Sequence, residues 1–289
     1  MKNRINFYFL LFKELMLFPF LYIREFYLKR HKQFDTNKKQ REAVEVRKVS
    51  VGIHEWGGYK PVRVKNIKNG TSFQCGLLGQ LQRFSKHNNV DLIVTLSDSE
   101  RFLYFDVVYE YTNRVVKVSN KGFDFSGYDA LYQSIKDQPN RYVILTNSSI
   151  HSSQDDFLNG YIDYMEQNPD VGMLGVSYCT RMWQTFVRNN FTPHLQSFFL
   201  LTTTQVLNEV VTLNNGKFPG VGIDHKLLLI RQGEIKLSRL VQKAGYRLAV
   251  VNPQDGIPFK FTDYRHWKLP KGDIRQLLSE PNKITPISI

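Results

Sequence analysis

The sequence predicts an α/β fold in which a largely parallel sheet is covered by helices on both faces. Two observations lead to this prediction. Short apolar runs of strand length alternate with segments of helical spacing along most of the chain, and such alternation is typical of parallel sheets. The apolar runs also end in polar residues, and in parallel sheets ligands bind at the carboxyl ends of the strands. The polar strand ends are therefore the candidate site.

The strand candidates are short and mostly apolar. We predict strands over residues 47–52, 91–96, 114–119, 141–146, 171–176, 196–203 and 246–251. Polar groups follow several of them, at Ser97–Ser99, Asn120–Asp124 and Asn147–Ser149. A parallel arrangement would bring these groups to one edge of the sheet.

Helical spacing predicts the intervening helices. Residues 72–87 place Phe73, Leu77, Leu81 and Phe84 on one side. Further helices are predicted over 127–137, over 152–167 and over 234–244. The third opens with a serine followed by an acid three residues later, the pattern of a capping box. The fourth ends at Gly245, which fits a glycine after the last helical turn.

Composition limits the classes of function. The chain has 289 residues and two cysteines, Cys75 and Cys179, so neither a disulfide framework nor a cysteine zinc cluster is predicted, and a reducing cytosol fits. The net charge of +13 favours an anionic partner. No nucleic-acid-binding motif accompanies the charge, and no phosphate-binding P-loop occurs. Nucleic acid is therefore a permitted partner that no motif supports.

The N-terminal segment is aromatic and apolar over residues 5–23, but Lys13, Glu14 and Pro19 interrupt it. It is too interrupted for a spanning helix and lacks the small-residue site of a signal peptide. We predict an amphipathic, membrane-associating anchor over residues 1–32, with a basic flank that favours anionic lipid. The alternative is a helix that packs on the protein's own core or on a second subunit. A basic linker (33–45), the main domain (46–265) and a C-terminal tail (266–289) complete the predicted organisation.

Three segments together resemble a known family. Asn120–Tyr128, Tyr142–Ser149 and His194–Leu200 look like the rhamnan-synthesis F-type glycosyltransferases of bacterial polysaccharide assembly. Residues 233–247 are similar to the late helix of GT-A enzymes, in which an acid opens a helix that ends in Gly-Tyr. The similarity covers about residues 90–255. It implies a GT-A-like fold and an enzyme that transfers a hexose or deoxyhexose.

The resemblance also implies the partners. The donor would be a UDP- or dTDP-sugar, and the acceptor an oligosaccharide or lipid-linked glycan of an O-antigen or capsule. Transfer would be inverting, at the cytoplasmic side of the inner membrane, with the protein bound peripherally. In GT-A enzymes an acid after the mid-chain strand holds Mn²⁺ or Mg²⁺. Here Ser148 stands at that place between Asn147 and Ser149, and Ile235 replaces a second acid in the late helix.

Site roles follow from the needs of glycosyl transfer, which are a base for the acceptor hydroxyl and polar or cationic groups for the donor. Glu234 is the first choice for the base and Asp224 the second. The alternative for Glu234 is a structural acid at the start of a helix, where the helix dipole favours it. The alternative for Asp224 is an acid in a turn. The donor-binding candidates follow the predicted strands: Asp98, Asn120, Lys121, Asp124, Asn147 and Ser149. Asp124 has a helix-capping role as its alternative.

The acceptor candidates are His194 and Gln196, and a buried core histidine is the alternative for His194. Arg181 and Arg188 would supply cations in place of a metal, or else lie on the surface. Ser148 and Ile235 also support a second hypothesis, that the chain is a catalytically inactive relative that binds a glycan or serves as a scaffold.

Overall fold

The computed structural model describes residues 2–17, 19–20, 23, 39–66, 72–153, 156–179, 194–251 and 284–287. The strands in chain order are β1 Val49–Trp56, β2 Arg63–Asn66, β3 Ser72–Cys75, β4 Val90–Ser97, β5 Val115–Val118, β6 Tyr142–Asn147, β7 Val171–Gly175, β8 Tyr178–Cys179, β9 His194–Leu195, β10 Phe199–Thr203, β11 Arg247–Val251 and β12 Ile284–Ile287. The helices are α1 Lys2–Met16, α2 Leu77–Phe84, α3 Phe105–Tyr109, α4 Asp124–Ile135, α5 Leu158–Gln167, α6 Thr204–Leu213 and α7, which runs on through Lys226–Leu229, Ile230–Ile235 and Lys236–Lys243. One turn of 3₁₀ helix spans Ser99–Arg101.

The main sheet has eight strands in the order β12-β11-β7-β10-β6-β1-β4-β5. Strand β1 pairs in parallel with β4 and β6, β4 with β5, and β7 with β11. Only β10 and β12 run against their neighbours within this sheet. The predicted largely parallel sheet is confirmed. Its six parallel strands share one edge at their carboxyl ends, the carboxyl edge, and one at their starts, the amino edge.

Apolar side chains pack on both faces of the sheet, as predicted. One core joins alternate residues of β1, such as Val51, to α2 and α5 through Leu81 and Tyr161. The other core lies under α4, α6 and α7 and includes Leu131 and Val210. The alternation of side chains along a strand sends successive residues to opposite faces. The central strands β1, β4, β6, β7 and β10 are thereby mostly buried, whereas β5 at the edge of the sheet is partly exposed.

Strand β1 is longer than predicted. The prediction stopped at Gly52, but the strand continues through His54 and Glu55 to Trp56 and pairs along its whole length with β4. Two ionisable residues are unfavourable in a buried strand unless they are hydrogen-bonded, and the pattern alone gave no sign of partners. Their partners come from β4, β2 and the end of β6.

The predicted helix over 72–87 was wrong in its first part. Residues Ser72–Cys75 form β3, which pairs with β2 in antiparallel fashion and buries alternate side chains, Phe73 and Cys75. Gly76 then adopts a φ of 135°, a conformation that favours glycine. The helix begins only after it, at Leu77.

The capping box at Ser152 was also wrong. The Ser152 amide donates to the Gln74 carbonyl, at 2.9 Å, and the Ser153 amide to His151 Nδ1, also at 2.9 Å. The two serine amides are thus hydrogen-bonded within a loop that contacts β3. Helix α5 begins later, at Leu158. Helix α4, by contrast, begins three residues before the predicted start, at Asp124.

The basic segment before β1 is attached to the domain. Arg41 is buried, and its Nε donates to the Val171 carbonyl at 2.6 Å while Nη2 donates to the Met165 carbonyl. Its own amide donates to the Pro169 carbonyl at 2.8 Å. Met165 lies in the last turn of α5, where helix carbonyls lack partners. Arg41 therefore caps α5 from within a segment that was expected to be a solvated linker.

The two ends of the chain also contact the domain. Helix α1 meets the start of α7 through Phe7, whose ring lies 4.9 Å from that of His225. Among the described residues, no helix is long and apolar enough to cross a membrane. Four residues of the predicted tail form β12, which pairs with β11 at the outer edge of the sheet.

Candidate functional site

The carboxyl edge brings together most of the polar residues that the sequence singled out. The ends of β1, β4, β5 and β6 meet there because these strands are parallel. Strand β10 runs the other way, so its first residue, Phe199, pairs with Thr146 near the end of β6. The residues that precede β10 therefore reach the same edge.

A first cluster joins three neighbouring strands. Asp98 Oδ2 accepts from Trp56 Nε1 at 2.7 Å and from Asn120 Nδ2 at 3.1 Å. Asp98 has a φ of 48°, a left-handed conformation that is uncommon outside glycine and asparagine. The Arg101 guanidinium lies 5.6 Å from the centre of the Trp56 ring. The cluster presents a half-exposed indole beside a carboxylate and an amide.

A second cluster joins β6 to the start of α4. Asn147 Nδ2 donates to Asp124 Oδ2 at 2.7 Å, and Asn147 Oδ1 accepts from the Ser149 amide at 2.9 Å. The amide of Asn147 thereby links two of the predicted donor-binding residues. Asp124 is the first residue of α4 rather than a residue ahead of it, and its carboxylate contacts Asn147.

A third cluster lies in the middle of the edge and was not predicted. Glu55 accepts from Ser148 Oγ at 2.8 Å on one oxygen and from Arg63 Nη1 at 3.1 Å on the other. Arg63 Nη2 also donates to Ser148 Oγ, at 2.7 Å. Burial raises the pKa of the Glu55 carboxyl, and Arg63 and Ser148 oppose that shift. The hydroxyl of Ser148 is therefore held between an acid and a cation of the protein itself.

His54 packs beneath this cluster. Its ring nitrogens lie 3.2 Å from Thr95 Oγ1 and 3.4 Å from Ser97 Oγ. Burial lowers the pKa of His54, and the nearby Asp124 carboxylate opposes that shift. A Cβ at Gly127 would lie 2.5 Å from His54 Nδ1, so the glycine lets α4 approach the strand.

Glu234 reaches the carboxyl edge from α7. Its Oε1 accepts from the Ser197 amide at 3.2 Å and from Ser197 Oγ at 2.8 Å. The Ser197 carbonyl in turn accepts from the Tyr128 hydroxyl. Burial raises the pKa of Tyr128 well above its usual value, and the charges of Asp124 and Glu234 act in the same direction. Tyr128 thus lies within electrostatic reach of both carboxylates.

The local conformation around Glu234 differs from the prediction. It does not open a helix but lies inside a π-helical stretch, Ile230–Ile235, within the continuous α7. Such stretches are rare and occur frequently at functional sites. Gly233 allows close packing, since a Cβ there would lie 2.8 Å from the Phe125 ring of α4. The apolar Ile235 is buried, which explains why no second acid occupies that position.

Asp224 and Lys121 lie farther along the same edge. Asp224 is exposed, and its Oδ1 accepts from Asn3 Nδ2 of α1 at 2.6 Å. The Asn3 hydrogen bond lowers the pKa of Asp224, and the charge of Lys121 contributes. Lys121 is exposed in the loop after β5, where its carbonyl accepts from Ser126 Oγ.

The two predicted acceptor residues differ in exposure. His194 is fully buried in β9, a position that fits the core alternative and keeps its ring from the surface an acceptor would reach. Gln196 is half-buried, and its Oε1 accepts from Ser177 Oγ at 2.6 Å. Arg181 and Arg188 lie outside the described residues.

The described residues do not provide a ready divalent-cation site. They contain no group of three or more His, Cys, Asp and Glu side chains placed to hold a metal. The Ser148 hydroxyl is engaged by Glu55 and Arg63, and the Asn147 amide by Asp124 and Ser149. Of the two residues in the predicted Mn²⁺ or Mg²⁺ region, Asn147 and Ser149, the Asn147 amide is thus engaged by protein partners.

Sequence reasoning missed four residues of this edge: Glu55, Trp56, Arg63 and Ser197. Glu55 and Trp56 lie beyond Gly52, where the predicted first strand ends. The available signal was the apolar alternation at Val49, Val51 and Ile53, which continues past Gly52. Ser197 lies in the segment His194–Leu200 that resembles the family, but nothing in the sequence indicated its contact with Glu234, 37 residues away. Arg63 carried no signal, since its partner Ser148 lies 85 residues away.

Comparisons with known proteins give partial similarity. No protein-family model and no curated protein matches the sequence. Among solved structures, glucosyl-3-phosphoglycerate synthase from Mycobacterium tuberculosis in complex with UDP aligns at 14% identity and a TM-score of 0.37, over 56% of this chain and 59% of that one. Another structure of the M. tuberculosis synthase aligns at 14% identity and 0.40, over 70% of each chain.

A third similar structure is 4-diphosphocytidyl-2C-methyl-D-erythritol synthase from Anaerococcus prevotii. It aligns at 9% identity and a TM-score of 0.38, over 69% of this chain and 97% of that one. Similarity at this level is partial. It assigns neither a family nor an activity to the chain.

Proposed function

We propose that the protein is a glycosyltransferase that moves a sugar from a nucleotide-sugar donor to a hydroxyl of a glycan acceptor. The proposal rests on one observation above others. A carboxylate held on a π-helical stretch, Glu234, meets the carboxyl edge of a parallel sheet where an indole, an acid and an amide already cluster. That edge is where parallel sheets bind ligands.

The first cluster suits the nucleoside part of a donor. Trp56 offers an aromatic surface, and Asp98 offers carboxylate oxygens that accept hydrogen bonds from amide or hydroxyl groups. Asn120 holds Asp98 in place through its amide. Lys121, exposed next to Asn120, supplies a cation for the negative charge of a diphosphate. Uridine diphosphate and thymidine diphosphate each combine an aromatic base, which can stack on Trp56, with a negatively charged diphosphate, which Lys121 can pair with.

Glu234 suits the role of the base. Attack on the donor sugar requires that the acceptor hydroxyl lose its proton, and a carboxylate within hydrogen-bond reach can take it. Two hydrogen bonds from Ser197 to one oxygen fix the orientation of the Glu234 carboxylate. The acceptor oxygen then attacks the anomeric carbon, the bond to the diphosphate breaks, and the diphosphate leaves with the electron pair. A single displacement of this kind inverts the anomeric centre.

The finer assignment comes from the sequence resemblance. On that basis we propose a rhamnosyltransferase-like enzyme of the rhamnan-synthesis F type, acting on a lipid-linked glycan in O-antigen or capsule synthesis. Hexose or deoxyhexose transfer is part of the same proposal. The glucosyl-3-phosphoglycerate synthase structure contains UDP, which is compatible with a UDP-sugar but does not select it.

One observation favours a second candidate, a catalytically inactive relative that binds a glycan or serves as a scaffold. Ser148 stands where the resemblance expects an acid, and its hydroxyl is held by Glu55 and Arg63. A site that had lost its donor could keep such a closed cluster without penalty. The two candidates differ in whether the carboxyl edge binds a nucleotide.

The experiment is a thermal-shift screen of the purified protein with UDP-, dTDP-, GDP- and CMP-sugars, with and without Mn²⁺ or Mg²⁺. A ligand at one hundred times its Kd stabilises the folded state by about 2.7 kcal/mol through mass action. We expect one nucleotide class to raise the Tm. A response that needs metal would show that the donor itself completes a cation site.

A variant pair shows where the nucleotide binds. Trp56→Ala removes the indole from the first cluster, whereas Tyr109→Ala removes an exposed aromatic side chain on α3. We expect the first substitution alone to abolish the shift. No shift with any donor would reject the transferase proposal in favour of the inactive relative, and an equal shift in both variants would place the nucleotide elsewhere.

A further inference from the structure

Helix α1 has two apolar faces, and among the described residues one of them contacts the domain while the other is exposed. Asn3 donates to Asp224, and the Phe7 ring contacts the His225 ring. Asn3 and Phe7 are about one helical turn apart, so they lie on the same face of α1. Leu10 and Leu11 are half-buried on the same side. This docked face fixes α1 to the segment between α6 and α7.

The opposite face is apolar and exposed. Residues at spacings of three and four along the helix lie there, and each is between 53% and 69% exposed: Ile5, Tyr8, Phe9, Phe12 and Met16. A soluble helix normally turns polar residues to water and hides its apolar ones. Five large apolar side chains therefore lie on one face that the described part of the domain leaves exposed, and an exposed apolar patch of this kind favours an apolar partner.

Cations border the exposed face. At 100° per residue, Lys2 and Lys13 lie on one side of it and Arg4 on the other, and all three are exposed. Long basic side chains beside an apolar stripe can keep their charge in the headgroup region while the stripe enters the acyl boundary. The sequence that follows is also basic, with six Lys or Arg against two acids over residues 24–39.

We infer that the exposed face of α1 is a docking surface for an anionic lipid bilayer, with the helix lying in the plane of the interface. The charge pattern favours lipid over a second copy of the chain. A twofold pairing of this face would bring the bordering cations of one copy close to those of the other copy. Repulsion between like charges opposes such a dimer. An anionic bilayer supplies both the apolar interior and the negative charge.

The inference also concerns the candidate site. The segment that holds α1 includes Ile223, whose carbonyl accepts from the Gly122 amide at 2.9 Å in the loop after β5. Asn120 of that loop binds Asp98. The segment that holds α1 is therefore hydrogen-bonded to the loop after β5, and that loop belongs to the carboxyl edge. Together with the proposed function, this favours an acceptor that is itself carried by the membrane.

The test is flotation of the full chain with vesicles of phosphatidylcholine, alone or mixed with phosphatidylglycerol. We expect binding to the mixed vesicles that weakens as salt rises. Phe9→Ser combined with Phe12→Ser should lower the partition coefficient by roughly tenfold or more, because two aromatic side chains no longer enter the bilayer. Lys2→Gln combined with Arg4→Gln and Lys13→Gln should reduce the preference for phosphatidylglycerol.

The control pair is Leu103→Ser combined with Tyr109→Ser. These side chains are 81% and 51% exposed and lie just before α3 and at its end. Equal loss of binding in the control and in the Phe9/Phe12 variant would overturn the inference. So would sedimentation that shows a dimer dependent on Phe9 and Phe12, together with no vesicle binding. Donor binding is measured without vesicles, so failure of the proposed function would be seen separately.

Discussion

The two edges of the central sheet use buried polar side chains in different ways. At the amino edge, Arg41 donates to the Val171 and Met165 carbonyls, so it satisfies backbone groups that the fold leaves at the ends of β7 and α5. At the carboxyl edge, buried side chains also bond to one another, as between Glu55 and Ser148 or Asp124 and Asn147. Backbone groups must be paired in any folded chain, whereas such side-chain pairs are not required by the backbone. The proposed function uses these side-chain pairs at the carboxyl edge and assigns Arg41 a structural role.

The largest expected effect tests the functional character of the carboxyl edge. Glu234→Gln should lower kcat by roughly 10²–10⁴-fold, the usual contribution of a general base, with donor affinity almost unchanged. Glu209→Gln is the matched control, because Glu209 lies near the amino edge and binds Lys39 and Tyr246. The measurement is release of nucleotide diphosphate with the donor that the screen identifies. Equal rates in both variants would remove Glu234 from the mechanism.

The next effect is on stability and belongs to the amino edge. Arg41→Met keeps most of the side-chain volume but removes the donors to two carbonyls. It should lower the free energy of unfolding by about 2–4 kcal/mol, the cost of unpaired buried polar groups. Arg47→Met is the control, since Arg47 is 47% exposed and pairs with Asp163 and Glu166 at the surface, where pairs contribute under about 1 kcal/mol. Urea unfolding measures both variants. A weakened affinity of folded Arg41→Met for the nucleotide-sugar donor would contradict a purely structural role for the amino edge.

A smaller effect compares the two ends of one strand. Asp98 follows β4 at the carboxyl edge, whereas Asp91 near its start pairs with Arg114. Asp98→Ala should weaken nucleotide binding by roughly tenfold, because Trp56 and Asn120 lose their common acceptor. Asp91→Ala should leave the affinity unchanged. Titration calorimetry with the nucleotide diphosphate distinguishes the two, and a loss in the second variant would contradict a ligand site confined to one edge.

The smallest effect is a pH dependence at Glu55. Its pKa is raised in the folded state by burial, so above the ordinary glutamate value of about 4.3 the unfolded chain releases this proton first. The folded state then holds more protons than the unfolded state, and stability falls as pH rises until the folded carboxyl also ionises. The Glu55→Gln variant has no ionisable group at this position, so it does not lose stability in this way as pH rises. Its free energy of unfolding should therefore rise relative to the unmodified chain by about 1.4 kcal/mol for each pH unit within that window.

Urea unfolding of both proteins across acidic to neutral pH gives this difference. A difference of the opposite sign would mean that Arg63 and Ser148 outweigh burial at Glu55. The third cluster would then stabilise the fold in the same way that Arg41 does at the other edge.

Much of the candidate site was predictable because a parallel sheet converts order along the chain into position. Asp98, Asn120 and Asn147 were found from the polar ends of three apolar runs, and β4, β5 and β6 bring them to one edge. Glu234 was identified from the late-helix pattern, although its helix starts earlier and contains a π-helical stretch. Local pattern could not reveal that stretch, because it depends on how α7 packs against Phe125 and Ser197.

The sequence by itself determined the fold class, the two apolar cores and the positions of most strand ends, because the periodicity of apolar residues specifies which faces are buried. It also determined the apolar and basic character of α1. The tertiary structure alone decided which polar groups became partners: Glu55 with Arg63 and Ser148, Glu234 with Ser197, and Arg41 with the end of α5. These pairs join residues far apart in the chain. Their formation depends on the strand order and on the reversed direction of β10, neither of which is encoded in local periodicity.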